Sequence, residues 1–158
     1  MISTIIDGSR FNFRVSGLFI DSENKRFLTN IGVGLDYCVL PGGRVEINEP
    51  TDLTLSREIE EELGEKISIS YLKTICENFF EFDGQKVHEL QFMYVAKFEN
   101  KDFEKIKGKF KGVENKDFYE WRDISELEKL KFEPQMLKKS IFEVFENDRT
   151  FERLSNFV

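Results

Sequence analysis

Several features are scarce in this chain, and each scarcity narrows what the protein does. The 158 residues hold two cysteines, Cys38 and Cys76, neither in a CxxC or similar cluster. Nothing therefore points to a cysteine metal site, and both read as buried, reduced thiols. The N-terminal MISTIIDGSRFNFRVSG has no basic start followed by an unbroken apolar run, so no signal peptide is expected. No stretch approaches the ~18 consecutive apolar residues of a membrane span. The expectation is a soluble, cytoplasmic protein that does not engage a membrane. Basic charge is also in deficit: 23 Lys and Arg face 30 Asp and Glu, for a net charge of −7. That balance disfavours duplex nucleic acid, which asks for a basic surface. It leaves open a phosphorylated small molecule, because a bound metal and a few local basic residues reverse the sign at a site. Internal repeats and low-complexity segments are absent, and a sole histidine, His88, reads as structural or surface.

What is present suits one domain spanning residues 1–158, with a tail from about 150 to 158. A chain of this length buries roughly two thirds of its unfolded surface, and 17 Phe supply core material. Residues 11–20 read as a strand, with a turn at 21–25 and a return from Arg26. Tyr37-Cys38-Val39-Leu40 is a short buried strand running into Pro41-Gly42-Gly43, where two glycines permit close backbone approach. Residues 67–77 form another strand. A hairpin follows, turning at Asp83-Gly84, a favoured two-residue turn. Its return strand, 86–98, is apolar on both faces, as in a strand covered on each side. Residues 101–115 read as a charged irregular excursion, 117–122 as a last strand, Asp123 as the cap of a short helix with Glu126 completing a capping box, and 134–147 as a final amphipathic helix.

The chemistry concentrates between Gly43 and Gly64. Pro50 suits a helix start and Gly64 a helix stop, so a helix is predicted from Pro50 to Leu63. Leu55, Ile59 and Leu63 form its anchoring stripe. Glu58, Glu61 and Glu62 stand at i, i+3 and i+4, on one face. Like charges so placed repel, and a hard divalent cation such as Mg²⁺ or Mn²⁺ offsets that repulsion. Taken alone, the triple also describes an ordinary solvated face, the commoner case in an acidic protein. Arg57, next to Glu58 in sequence, is expected to point away from the ligand patch. Its guanidinium fork suits a carboxylate, with Glu49 the expected partner.

The wider spacing is more specific. Gly43, five residues, Glu49, seven residues and then Arg57-Glu58-Ile59-Glu60-Glu61-Glu62-Leu63-Gly64 resembles the Nudix box. Chance occurrence in a chain of this composition is on the order of one in a few hundred thousand. One position departs, Glu65 standing where an apolar residue is expected and Ile67 being the next apolar candidate. The resemblance implies an α/β fold, the Nudix-type α/β/α sandwich around a mixed sheet. It implies Glu58, Glu61 and Glu62 as metal ligands and catalytic carboxylates, with the Gly43 region beside them and Arg57 in a supporting catalytic role. Arg44 lies where the family often has a basic residue. Glu89 is the favoured acidic residue from outside the box, with Glu114 and Glu120 as rivals. The implied activity is hydrolysis of a phosphoanhydride bond in a nucleoside diphosphate linked to another moiety, with Mg²⁺ as cofactor and Mn²⁺ as substitute. The partner is a small-molecule nucleotide, the chain a monomer or homodimer. The alternative is a Nudix-like sensor that binds a nucleotide without cleaving it. Tyr37, Phe79, Phe80, Tyr119 and Trp121 are the aromatics available to stack a base.

Overall fold

The computed structural model describes residues 1–114 and 116–157. Its strands are β1 (Ser3–Ile6), β2 (Ser9–Asp21), β3 (Arg26–Ile31), β4 (Gly42–Arg44), β5 (Ile67–Phe82), β6 (Gln85–Phe98), β7 (Phe110–Lys111), β8 (Phe118–Asp123) and β9 (Glu152–Ser155); the helices are α1 (Thr51–Leu63) and α2 (Leu137–Phe145). Across the sheet the order is β7-β8-β3-β2-β6-β5-β9, with β1 and β4 also pairing with β2. The sheet is mixed. β2 runs parallel to β6 and β5 parallel to β9, while the remaining pairs are antiparallel.

Side chains on alternate sides of the central strands explain the layering. Val15 and Phe19 of β2, Leu28 of β3 and Ala96 and Phe98 of β6 pack with Leu55, Ile59 and Leu63 of α1. Their sequence neighbours Leu18, Phe27, Met93 and Val95 pack on the other side with Leu137, Ile141 and Val144 of α2. A strand with two apolar faces belongs between two helices, so the sandwich follows from the pattern of β2 and β6. Cys38 and Cys76 lie in the α2-side core as free thiols, and burial pushes them up to about 11 and about 12.

Several boundaries differ from expectation. Pro50 caps α1 from an extended conformation and does not form its first turn, while Gly64 ends it with φ of 69°. β5 is one continuous strand from Ile67 through Phe82. Register shifts between Ile69 and Tyr71 and between Leu72 and Thr74 break its alternation. Asp83 and Gly84 take φ of 51° and 74°, the expected turn. Part of the 101–115 excursion is ordered as a 3-10 turn and as β7, and its last residue, Asn115, lies outside the described residues. Asp123 caps through Ser125 N–H, but Glu126 ion-pairs with Arg122 at 2.8 Å and completes no capping box.

The reading of 150–158 as a tail is corrected. Glu152–Ser155 form β9, which lies parallel to β5 with Thr74 opposite Glu152. A polar latch holds this end. The Lys73 ammonium, fully buried, donates to Glu143 Oε2 at 2.9 Å and to the Thr150 carbonyl at 2.6 Å, and Ser140 Oγ donates to Glu152 Oε2 at 3.0 Å. Val158, the end of the expected tail, lies outside the described residues.

Candidate active site

α1 and β4 meet edge to face because Gly43 has no side chain. A Cβ there would stand 2.1 Å from Glu58 Cδ, so the Glu58 carboxyl rests directly on the Gly43 main chain. Gly42 is as constrained from the other side, where a Cβ would meet the Val15 carbonyl oxygen at 2.1 Å. β4 itself is held against β2, with Gly43 opposite Val15 and Arg44 opposite Arg14.

Arg57 is bound to Glu49 as expected, by a fork of 2.8 Å from Nε and 2.9 Å from Nη2. The fork and a hydrogen bond from Thr54 hold the Glu49 carboxyl down at about 2. The expectation that Arg57 points away from the other carboxylates is corrected. Its remaining arm donates to Glu58 Oε1 at 3.0 Å and to Glu61 Oε2 at 3.2 Å. A long side chain can wrap back along the helix surface even though its Cβ points elsewhere. One guanidinium thus ties the loop before α1 to two of the three box carboxylates.

The third carboxylate, Glu62, is deeper. Tyr119 from β8 donates to Glu62 Oε2 at 2.9 Å. Burial, opposed by that hydrogen bond and reinforced by the charge of Glu58, pushes Glu62 up to about 7. Burial also raises Glu58, with Arg57 working against it. Glu58 and Glu61 share the arm of Arg57 and Glu62 has Tyr119, and no group of three or more His, Cys, Asp or Glu is gathered at metal-binding spacing among the described residues. The donor set is nevertheless all oxygen and negatively charged. It lies against a bare main chain, and two of its members are disfavoured as anions by burial. Those are the properties of a site for a hard divalent cation.

The site opens into a cavity of about 500 Å³ bounded by Glu62 and Gly42. Of the acidic candidates outside the box, Glu89 lines it, with Asn12 Nδ2 donating to Glu89 Oε2 at 3.4 Å. Glu120 is instead paired with Arg122 at 3.1 Å, and Glu114 is exposed elsewhere. Arg44 does not reach the cavity, and its guanidinium lies 3.4 Å from the Met1 sulfur. Its register partner Arg14 lines the cavity in its place. Among the aromatics, Tyr37 and Phe80 line the cavity, joined by Phe82. Tyr119 and Trp121 are buried in the α1-side core, and Phe79 is stacked on His88 with centroids 4.2 Å apart. His88, flanked also by Phe11 and 3.7 Å from Glu77, is structural.

Among the residues of this neighbourhood that escaped the sequence reading are Arg14, Glu81, Phe82, Tyr119 as a partner of Glu62, Asp117 and Glu133. Chain segments far apart in sequence deliver them. Asp117 accepts from Val33 N–H at 3.3 Å, and Glu133 is brought in because its N–H donates to the Cys38 carbonyl at 3.0 Å.

Comparison with known proteins agrees with this geometry. The sequence profile of the NUDIX domain matches residues 14–143. The chain belongs to the Nudix family. This Nudix chain is accordingly an enzyme of the pyrophosphohydrolase class. No curated protein matches it in sequence. Among solved structures, a Nudix hydrolase from Nitrosomonas europaea superposes with a TM-score of 0.65 at 17% identity, over 98% of this chain and 92% of that one. A UDP-X diphosphatase gives 0.65 at 17% identity, over 96% and 69%. An ADP-ribose pyrophosphatase from Streptococcus suis gives 0.59 at 10% identity, over 92% and 98%. At these identities the likeness is one of fold.

Proposed function

We propose that this Nudix chain hydrolyses the phosphoanhydride bond of a nucleoside diphosphate linked to another group, using Mg²⁺ with Mn²⁺ as a substitute. The observation that carries the reading is the knot of Glu49, Arg57, Glu58 and Glu61 closed over the Gly43 main chain, with Gly42 and Glu62 of the same two elements lining a cavity. Glu58, Glu61 and Glu62, with the Gly43 region beside them, would hold the metal. When bound, it neutralises charge on the diphosphate and lowers the pKa of an attacking water. Arg57 does not touch substrate in this scheme. It sets the positions of Glu58 and Glu61 and shares their charge. Tyr119 fixes the Glu62 carboxyl through Oε2, leaving its other oxygen free to turn to the site. One of the three carboxylates takes the proton of the attacking water. Positioning and electrostatics supply most of the rate, as in phosphoryl transfer generally.

Two structural neighbours, a UDP-X diphosphatase and an ADP-ribose pyrophosphatase, put sugar nucleotides and ADP-ribose first on a substrate panel, ahead of dinucleotides and nucleoside triphosphates. The test is nucleoside monophosphate and phosphate release from that panel with and without Mg²⁺, with Glu61→Gln and Glu62→Gln alongside. The expected result is metal-dependent turnover of at least one compound, reduced on the order of 10²- to 10⁴-fold in each variant. Near-normal turnover in both variants overturns the assignment. Tight binding of one compound with no turnover replaces the hydrolase by a sensor.

A further inference from the structure

The walls of the cavity bear on which diphosphates enter it, an inference that rests on the hydrolase reading. Arg14 is the one basic side chain among the described residues lining the cavity. Against it stand the carboxylates of Glu62, Glu81, Glu89, Asp117 and Glu133. These acids come from five separate parts of the chain: α1, the far end of β5, the start of β6, the approach to β8 and the segment before α2. None of the five has a Lys, Arg or His partner within ion-pair distance among the described residues. By contrast, Glu49, Glu58 and Glu61 of the box all engage Arg57. Among the described residues, Glu89 and Asp117 accept from neutral donors, Asn12 in one case and Asn30 with Val33 N–H in the other. Tyr37, on the same wall, has its hydroxyl raised by burial and then by the nearby charges of Glu133 and Glu89, against Arg14.

A bound metal accounts for Glu62 and the diphosphate for Arg14. The remaining four acids then face whatever lies beyond the diphosphate, together with the aromatic rings of Tyr37, Phe80 and Phe82. We propose that this cavity selects diphosphates whose end group is an uncharged or cationic ring and rejects those carrying a further anion there. An extra carboxylate or phosphate would enter a cleft lined by its own sign of charge, with no cation left to meet it. A neutral sugar or a flat base is free of that penalty and gains contact with the rings.

Matched probes that differ by one anion test this. UDP-glucose against UDP-glucuronate varies one end of the molecule, and NADH against NADPH varies the other. Dissociation constants are measured by calorimetry on the full chain with Ca²⁺ in place of Mg²⁺, and turnover is measured separately with Mg²⁺. In at least one pair the anionic member is expected to bind on the order of tenfold more weakly. The gap should narrow in the Glu81→Gln/Glu133→Gln double variant and as salt is raised, since both side chains are exposed and screened. Equal affinity within both pairs overturns the inference, as does a gap that the double variant leaves unchanged, or binding of none of the four. Discrimination in binding without turnover overturns the hydrolase reading and leaves this one standing. Turnover without discrimination does the reverse.

Discussion

Lys73 offers the sharpest test of how the C-terminal end is held. Its ammonium is wholly buried, with Glu143 at 2.9 Å and the Thr150 carbonyl as its partners. Replacing Glu143 by Gln leaves the charge buried and removes its counter-ion. Losing one partner of a buried pair costs about 3–5 kcal/mol. Glu143 keeps some exposure and a second cation, Lys139 at 3.4 Å, so the low end, about 3 kcal/mol, applies. For a chain of this size that lowers Tm by about 6–12 °C. Replacing both partners, Lys73→Met with Glu143→Leu, removes the charge with its counter-ion and costs about 1 kcal/mol or less. The pH dependence has a definite sign. The hydrogen bond from Lys73 lowers the Glu143 carboxyl below its ordinary 4.5. The stability it contributes is therefore complete above that value and lost as pH falls through the depressed one. Urea melts at pH 7 and at pH 3 measure this, and the gap between wild type and Glu143→Gln should shrink at pH 3. A loss under 1 kcal/mol at pH 7, or a double variant as unstable as the sum of the singles, refutes the reasoning.

Other substitutions separate fold from chemistry. Gly43→Ala should melt near wild type yet lose tenfold or more in kcat/KM, because the new methyl displaces only the Glu58 carboxyl. Gly42→Ala meets the backbone oxygen of Val15, which has nowhere to go, so the cost falls on stability and a thermal melt several degrees lower is expected. Arg57→Lys replaces a fork by a point charge and cannot hold Glu49, Glu58 and Glu61 together. It should cost about 2 kcal/mol in a urea melt and at least tenfold in turnover, with Glu49→Gln giving a similar loss.

Of the carboxylate knot, the Arg57–Glu49 pair and the shared helix face were legible in the sequence because they are local, while the reach of Arg57 back to Glu58 and Glu61 was not. Glu49 to Glu62 lie on one helix and its lead-in, where spacing alone fixes neighbours. The sandwich was legible because β2 and β6 carry apolar residues on both faces. The cavity was not, since Tyr119 reaches Glu62 across 57 positions and Asp117 reaches Val33 across 84, and no periodicity encodes which strands lie side by side. Arg14 shows this most clearly. Nothing in its own strand distinguishes it from Arg44, and only the β2–β4 register and the position of the cavity do. β9 was missed for another reason: at four residues it is too short to show a pattern, and its place depends on the buried Lys73 beneath it.

The parallel pairing of β2 with β6 sets a schedule for the newborn chain. Each partner lies 77 positions from the other, from Arg10 opposite Val87 to Phe19 opposite Ala96. At a synthesis rate of about 5–20 residues per second, β2 waits about 4–15 s for its neighbour to be made. Through that interval a strand apolar on both sides has one edge open, an invitation to pair with the wrong chain. The helix bearing the box carboxylates is complete well before then, but it has no finished sheet to rest on. Crowded or cold synthesis should therefore lower the yield of soluble enzyme more than the stability of the finished fold suggests.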